Sequence, residues 1–594
     1  MEKGSGKVFV WMLLALGVAA VFLELGRMDV VSDNEGQRTA PPAEMLRSDD
    51  YVIPTINGET YLNKPPLLYW AIAETYRATG TISALTARIP TAVAGIVLVV
   101  LAYLYLRKRT GENAARWAAL MLLASPFVLQ MMRMAELDVP LTLATFLAVI
   151  GLREACAASR TGAAVLLSLA AGVALGAAVL LKGPVPFLFL TPAWLALLLL
   201  NSEAPEPTLR TGLRWTLAAF ALGLILFVLQ FAGIHIGFPL ALALFAGAWF
   251  ILAWRRAGRG RGRITGLFAL TLVTGVAVAT PWAVAVLQRL SWEYLDSLLR
   301  SQVTERTYVA SAINSGDPFY FLYRLPIMLA PWGLLLPLHL SGETWNENRG
   351  FYRFAVLAGW LSVGVFSLIA GKETEYVLPA VPLLLAATGV HLAGHVEGRR
   401  KDWTGRWMRM WGRMLYPVLP ALALGLLVYA LISEGVPALV VEVGVLTAAA
   451  VLAAGYAWTH PRYRSAAIFV AALVLIVSGL LVRSYHYTGR KSPRELAELA
   501  GSLAKAGYTV EAIKVYPAFA FYAGTPIPAQ TDLAAIQRQM AGSTPYYYVA
   551  RKAFLAQAMN LPEPPRILTE PYTSKDLILI GNRPLPEGFN IGGK

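Results

Sequence analysis

Runs of about 20 apolar residues recur along this 594-residue chain, each long enough to cross a bilayer core of roughly 30 Å. Backbone polar groups inside lipid must be satisfied within the segment, so these runs read as helices. They fall near residues 8–26, 87–106, 113–131, 137–156, 162–181, 185–200, 212–232, 235–254, 264–287, 320–339, 351–371, 375–394, 413–432, 437–457 and 465–484. The pattern predicts a polytopic α-helical membrane protein of about 13–15 transmembrane helices. Two long polar stretches interrupt it, at 27–86 and 288–319, and it ends at residue 484.

Beyond that point the periodicity changes. Ser492-Pro-Arg-Glu495 has the form of a capping box opening a helix to about Ala506. Thr509 to Tyr516, Pro545 to Val549 and Asp576 to Ile580 are rich in β-branched and aromatic residues and read as strands. The expected organisation is a membrane domain over 1–484 followed by a soluble α/β domain over 485–594. That tail carries no glycine-rich phosphate loop or nucleophile elbow, and it reads as a structural or acceptor-docking module.

The first polar stretch has local structure of its own. Pro41 to Arg47 suits a short helix entered through proline. Asn57-Gly58 is a turn signal. Residues 66–79 combine an apolar, aromatic face with a few charges, as a helix lying in the membrane interface does. Such a loop should rest on the membrane as a lid.

Composition agrees with the span pattern: 57% of residues are hydrophobic and only 15% are charged, too few for a water-soluble globule. The net charge of +15 could suggest a nucleic-acid partner, but its distribution excludes that reading. Basic residues cluster at Arg107–Arg109, Arg255–Arg263, Arg399–Arg413 and Arg462–Arg464. With a cytoplasmic start, alternation puts every cluster inside, as the positive-inside rule requires, and puts the C-terminal domain outside. The first run is basic at its start and lacks a small-residue cleavage site, so it reads as a retained signal anchor. A single cysteine, Cys156, allows no intramolecular disulfide and is expected to be a small buried apolar residue.

Candidate chemistry gathers at the outer ends of the spans. Asp33 and Glu35 lie just beyond the first run, and Asp138 opens the fourth, with Arg133 and Glu136 before it. Acids at a lipid boundary are costly unless paired or used. Lys64, Lys182, Arg306 and Lys372 fall at the same edge, where several cations together could hold a phosphate. No metal centre is expected from the histidines: His391 and His395 have i,i+4 spacing but sit at the opposite end of their span. No cofactor is certain, and a divalent ion held by acids and substrate phosphate stays open.

Residues 32–70 read SDNEGQRTAPPAEMLRSDDYVIPTINGETYLNKPPLLYW. With ARIPTAV (87–93), RMAELDVPLTL (133–143), LLKGPVPFL (180–188), DPFYFLYRLPIMLAPW (317–332) and GKETEYVLPAVPLLL (371–385), they resemble the membrane glycosyltransferases of the GT-C superfamily. The branch most resembled contains the lipid A aminoarabinose transferases, related to the protein O-mannosyltransferases. The likeness runs in order through about residue 395. It implies a polyprenyl-phosphate sugar donor, a lipid A, glycan or protein acceptor, membrane lipids around the site, and action on the outer face of the bacterial cytoplasmic membrane. It also implies that Asp33 or Glu35 is the catalytic carboxylate, assisted by Asp138, with Lys64, Arg306 and Lys372 binding the donor phosphate. Aligned without a gap, the family's acid falls on Asn34, and a one-residue insertion restores Asp33. The family's Glu before Lys-Pro-Pro, part of a metal site, is Asn63 here, which argues against that site. A lipid or saccharide flippase would share the spans, but it predicts charges near the midplane. A non-catalytic envelope protein would leave the loop acids dispensable.

Overall fold

The computed structural model describes residues 2–201, 258–299, 319–432 (apart from 349, 370 and 399–402), 443–448, 476–479 and 492–589 (apart from 514–516, 531, 552–565 and 569–576), with a few isolated positions. It is mostly helical, with a small sheet near the C-terminus. The expected spans at 212–232, 235–254, 437–457 and 465–484 lie largely or wholly outside the described residues.

Nine helices lead the chain: α1 Glu2–Phe22, α2 Asp33–Ser48, α3 Leu67–Thr79, α4 Ala84–Thr110, α5 Glu112–Leu123, α6 Pro126–Met132, α7 Asp138–Ala157, α8 Thr161–Lys182 and α9 Phe187–Leu200. Among the described residues, six helical segments are long and apolar enough to cross a membrane: α4, α7, α8, Arg261–Leu287, Phe351–Leu368 and Thr374–Val396. A large apolar core binds these elements together, from Leu13 in α1 through Phe146 in α7 to Phe354 and Leu384. Small residues set the closest approaches. A methyl at Gly176 of α8 would lie 2.5 Å from Val278, so only glycine lets that pair of helices meet.

Two expected spans are broken. Residues 113–131 form α5 and α6, bent by 66° where Pro126 removes a backbone donor. Residues 320–339 form a short helix, Tyr320–Met328, and a 3₁₀ segment, Trp332–Leu340, with prolines at 326, 331 and 337. Cys156, expected to be buried, is half-buried against the core.

The first polar stretch departs most from expectation. Its helix begins at Asp33, eight residues earlier than Pro41, because Ser32 caps it: Ser32 Oγ accepts from Glu35 N at 3.1 Å. Pro41 and Pro42 lie inside α2, and Arg38 Nη1 reaches the Gln37 carbonyl that Pro41 cannot serve, at 3.5 Å. The Asn57-Gly58 turn is present, with φ of 59° and 80°, joining strands β1 Thr55–Ile56 and β2 Glu59–Thr60. Glu44 of α2 holds that hairpin, accepting from Thr55 Oγ1 at 2.5 Å, Asn57 N at 2.5 Å and Gly58 N at 3.1 Å.

In the C-terminal domain, strands β3 Thr509–Ile513, β4 Tyr546–Arg551, β5 Arg566–Ile567 and β6 Leu577–Gly581 form one sheet in the order β3-β4-β6-β5. β3 pairs parallel with β4, and the other pairs are antiparallel. The helix expected from Ser492 runs from Arg494 to Lys505, but no capping box forms. Ser492 Oγ accepts from Arg494 N at 3.1 Å at the helix start and donates to Asp29 Oδ2 at 2.7 Å, in the segment leading to α2.

Candidate active site

One end of the helix bundle collects the charged residues, and α2 lies across it. The two acids of its first turn have opposite surroundings. Asp33 is exposed. Glu35 is fully buried and gripped by Arg88 of α4: Nε donates to Oε1 at 2.7 Å and Nη2 to Oε2 at 2.9 Å. Ala135 N donates to the same Oε1 at 3.0 Å. Arg88 also donates to the carbonyls of Leu25 and Met28, at 2.8 and 2.6 Å. Helical geometry explains the split, since residues two apart face different sides of a helix. Glu35 ties α2, α4 and the segment before α7 together, and both of its oxygens are engaged.

That segment leads to Glu136 and Asp138. Asp138, buried at the first turn of α7, accepts from Lys182 Nζ at 2.6 Å, at the last turn of α8. The Lys182 ammonium lies 5.0 Å from the ring centre of Tyr376. Glu136 is buried too, and among the described residues it forms no ion pair. Burial pushes its carboxyl up to about 8, with Asp138, Glu35 and Glu375 acting in the same direction and Arg38 opposing.

Arg38, one turn along α2, is buried as well. Burial opposes its charge, but Tyr69, Glu136 and Tyr61 outweigh that and hold its pKa above the ordinary value. Tyr69 is itself fully buried, and desolvation lifts its hydroxyl to about 12, so it remains a neutral donor. Arg38 Nε and the hydroxyls of Tyr61 and Tyr69 have no hydrogen-bond partner among the described residues. Three buried polar atoms left open around a guanidinium are costly, and a ligand carrying acceptor oxygens would satisfy them.

Lys64 sits between Tyr61 and Tyr69 in sequence, half-buried, with Nζ 3.1 Å from the Asn63 carbonyl. Lys372 is in a different setting: its ammonium caps the helix Phe351–Leu368, donating to the carbonyls of Ser367 at 2.8 Å and Ile369 at 2.6 Å. Arg306 lies outside the described residues. Of the expected residues, the structure therefore joins Glu35 and Asp138 into one network, with Lys64 on the neighbouring loop, and gives Lys372 a capping contact.

Sequence reasoning assigned no role to Arg38, Arg88 or Tyr61. Arg88 had left a signal, being a cation one turn inside an apolar helix, which requires a partner. The histidine pair shows no metal geometry. His391 Nε2 lies 3.0 Å from Tyr352 Oη, and its Nδ1 lies 3.4 Å from Thr344 Oγ1. Among the described residues no group of three or more His, Cys, Asp or Glu is disposed to hold a metal ion.

Comparison with known proteins gives this site a context. Residues 63–231, which include Lys64, Asp138 and Lys182, match the family model for dolichyl-phosphate-mannose-protein mannosyltransferases. An uncharacterized protein of Aquifex aeolicus is 31% identical over 372 residues, covering 62% of this chain and 60% of that relative's length. The undecaprenyl phosphate-alpha-4-amino-4-deoxy-L-arabinose arabinosyl transferase of Pseudomonas aeruginosa is 27% identical over 507 residues, covering 83% of this chain and 80% of its own. The crystal structure of ArnT from Cupriavidus metallidurans bound to undecaprenyl phosphate has the same fold, with a TM-score of 0.68, 19% identity and coverage of 99% and 100% of the two chains. In fold and in sequence the chain thus resembles the GT-C membrane glycosyltransferases, and among them the aminoarabinose transferases.

Proposed function

We propose that this protein transfers a sugar from a polyprenyl-phosphate donor to an acceptor hydroxyl at the outer face of the cytoplasmic membrane. One observation carries the reading: the open donors of Arg38, Tyr61 and Tyr69 lie against α2, whose first turn presents the exposed Asp33. Likeness to the aminoarabinose transferases supplies the donor class, undecaprenyl phosphate carrying an amino-pentose. The acceptor (lipid A, another glycan or a protein) and the outward orientation rest on the sequence's charge pattern and on that likeness.

In this mechanism Asp33 accepts the proton of the acceptor hydroxyl as its oxygen attacks the anomeric carbon. The bond from that carbon to the phosphate oxygen breaks, and polyprenyl phosphate leaves. General-base help of this kind contributes about 10²- to 10⁴-fold. Arg38, Lys64 and Arg306 stabilise the negative charge growing on the phosphate, and the Tyr61 and Tyr69 hydroxyls donate to its oxygens. Asp138, oriented by Lys182, faces the sugar or the acceptor. Glu35 is left out of the chemistry because its oxygens are occupied, and Lys372 acts as a helix cap. The soluble domain over 485–594 lies on the same outer side.

The test is transfer from undecaprenyl-phosphate aminoarabinose to a lipid A precursor in proteoliposomes. Asp33→Asn should lose at least two orders of magnitude in kcat while remaining folded. Arg38→Gln and Lys64→Gln should weaken binding of undecaprenyl phosphate. Full activity in Asp33→Asn sinks the assignment of the base.

A further inference from the structure

The C-terminal domain meets the site loop at three separate places, each with tight, directional contacts. Before α2, buried Asp29 accepts from Ser492 Oγ at 2.7 Å and from Tyr522 Oη at 3.3 Å, with Arg494 Nη1 3.5 Å away. Val30 N donates to the same Tyr522 hydroxyl at 2.8 Å. Within α2, Gly36 lies against the start of the helix Pro517–Ala523, where a methyl on Gly36 would come 2.3 Å from Ala518 N. At the hairpin, the Asn57 amide pairs with the backbone of Ile527 in both directions: Nδ2 donates to its carbonyl, and Oδ1 accepts from its N–H at 2.6 Å. Ala518, Ala520 and Phe521 share one apolar cluster with Val30, Ala40 and Ala43.

These contacts flank the first turn of α2 on both sides. Residues 29 and 36 bracket Asp33, and residue 57 anchors the hairpin that Glu44 ties to the far end of the same helix. A helix with prolines at its centre lacks two of its own hydrogen bonds and gains little rigidity from sequence. Its placement must come from outside: from the membrane helices, through the Glu35–Arg88 pair and the apolar packing of Ala40 and Ala43, and from the C-terminal domain.

We infer that the C-terminal domain is a brace for the transferase site: Asp29, Gly36 and Asn57 are positioning residues through which it fixes α2, and with it Asp33, over the bundle. This rests on the sugar-transfer reading. It gives the domain a part in turnover without any residue of its own touching substrate. Displacement of a reacting group by about 1 Å can cost 10²-fold in rate. Loosening the brace should therefore lower kcat, and because Arg38 rides on the same helix it should also weaken donor binding, though by less than the loss in kcat.

The test uses the full chain with Cys156→Ser, in proteoliposomes. Asp29→Asn combined with Asn57→Gly removes two of the three contacts, and glycine suits the positive φ at residue 57. The double variant should stay folded, bind undecaprenyl phosphate with at most a several-fold weaker Kd, and lose on the order of 10²-fold in kcat. A covalent brace should restore it. A Cβ at Gly58 would lie 3.9 Å from Pro526 Cβ, within disulfide reach, so Gly58→Cys with Pro526→Cys can lock the hairpin to the domain, at the cost of a side chain at the positive φ of residue 58; the reduced form of the same variant is the control for that strain. Turnover should recover on oxidation and fall again on reduction. Undiminished kcat in the double variant overturns the brace, as does a loss that merely follows the folded fraction, or a disulfide that forms without restoring kcat. A wild-type chain that transfers no sugar refutes the transferase reading itself. An active wild type with an insensitive double variant refutes the brace alone.

Discussion

Replacing Glu35 with glutamine separates a structural acid from a catalytic one. The carboxylate is fully buried, takes both Nε and Nη2 of Arg88, and accepts from Ala135 N. Glutamine keeps the shape but puts an NH₂ against the guanidinium and leaves Arg88 charged in a dry site. Removing one partner of a buried pair typically costs about 3–5 kcal/mol. At 1.4 kcal/mol per decade, that is roughly 10²- to 10⁴-fold in the folding equilibrium. Glu35→Gln should therefore show a large fall in thermal stability in detergent, while the molecules that remain folded keep their pH–rate profile. Adding Arg88→Met removes the orphaned charge and should recover part of the loss, giving a coupling measurable by a double-mutant cycle. Wild-type stability in Glu35→Gln together with lost kcat would refute this reasoning and return Glu35 to the role of base.

Three further outcomes follow from the same network. Lys182→Met strands Asp138 in a buried position, so it should be less stable than the double variant Asp138→Asn/Lys182→Met, as thermal unfolding of both would show. Glu136, raised to about 8, binds its proton more tightly folded than unfolded, so between about pH 4.5 and 8 stability falls as pH rises. Glu136→Gln should flatten that slope in a pH series of thermal shifts, and an unchanged slope would remove Glu136 as its source. Arg38→Lys keeps the charge but not the fork of donors, and it should weaken undecaprenyl phosphate binding about as much as one charge-assisted hydrogen bond, roughly 1.5–3 kcal/mol, read by ligand titration.

Much of the architecture was legible along the chain because its causes are local. Apolar length gives the spans, Asn57-Gly58 gives the hairpin, and β-branched runs give the strands around Thr509, Tyr546 and Leu577. The resemblance identified the enzyme class from short motifs. Local signals also mislead: Pro41 looks like a helix start, although Ser32 caps the helix a full two turns earlier, and Ser492 looks like half of a capping box, although no box forms and its hydroxyl, besides accepting from Arg494 N, donates to Asp29. Prolines and serines permit these roles, and only the surrounding contacts choose among them.

The division between Asp33 and Glu35 was beyond the sequence for a related reason. Both acids suit a first helical turn, and nothing within several residues distinguishes them. Arg88 lies 53 residues away and Ala135 lies 100, and their arrival at one carboxylate depends on how α2 crosses α4 and the approach to α7. Likewise, Arg38 became a candidate only when its packing left Nε, Tyr61 and Tyr69 with open donors. The sequence by itself determined a polytopic helical scaffold that resembles the membrane glycosyltransferases, with acids and cations at the ends of its spans, because hydrophobic length and motif spacing are properties of contiguous residues. Which acid is sealed into an ion pair, which is left exposed, and which domain holds the helix between them were decided by the tertiary structure, because burial and pairing are properties of residues brought together from afar.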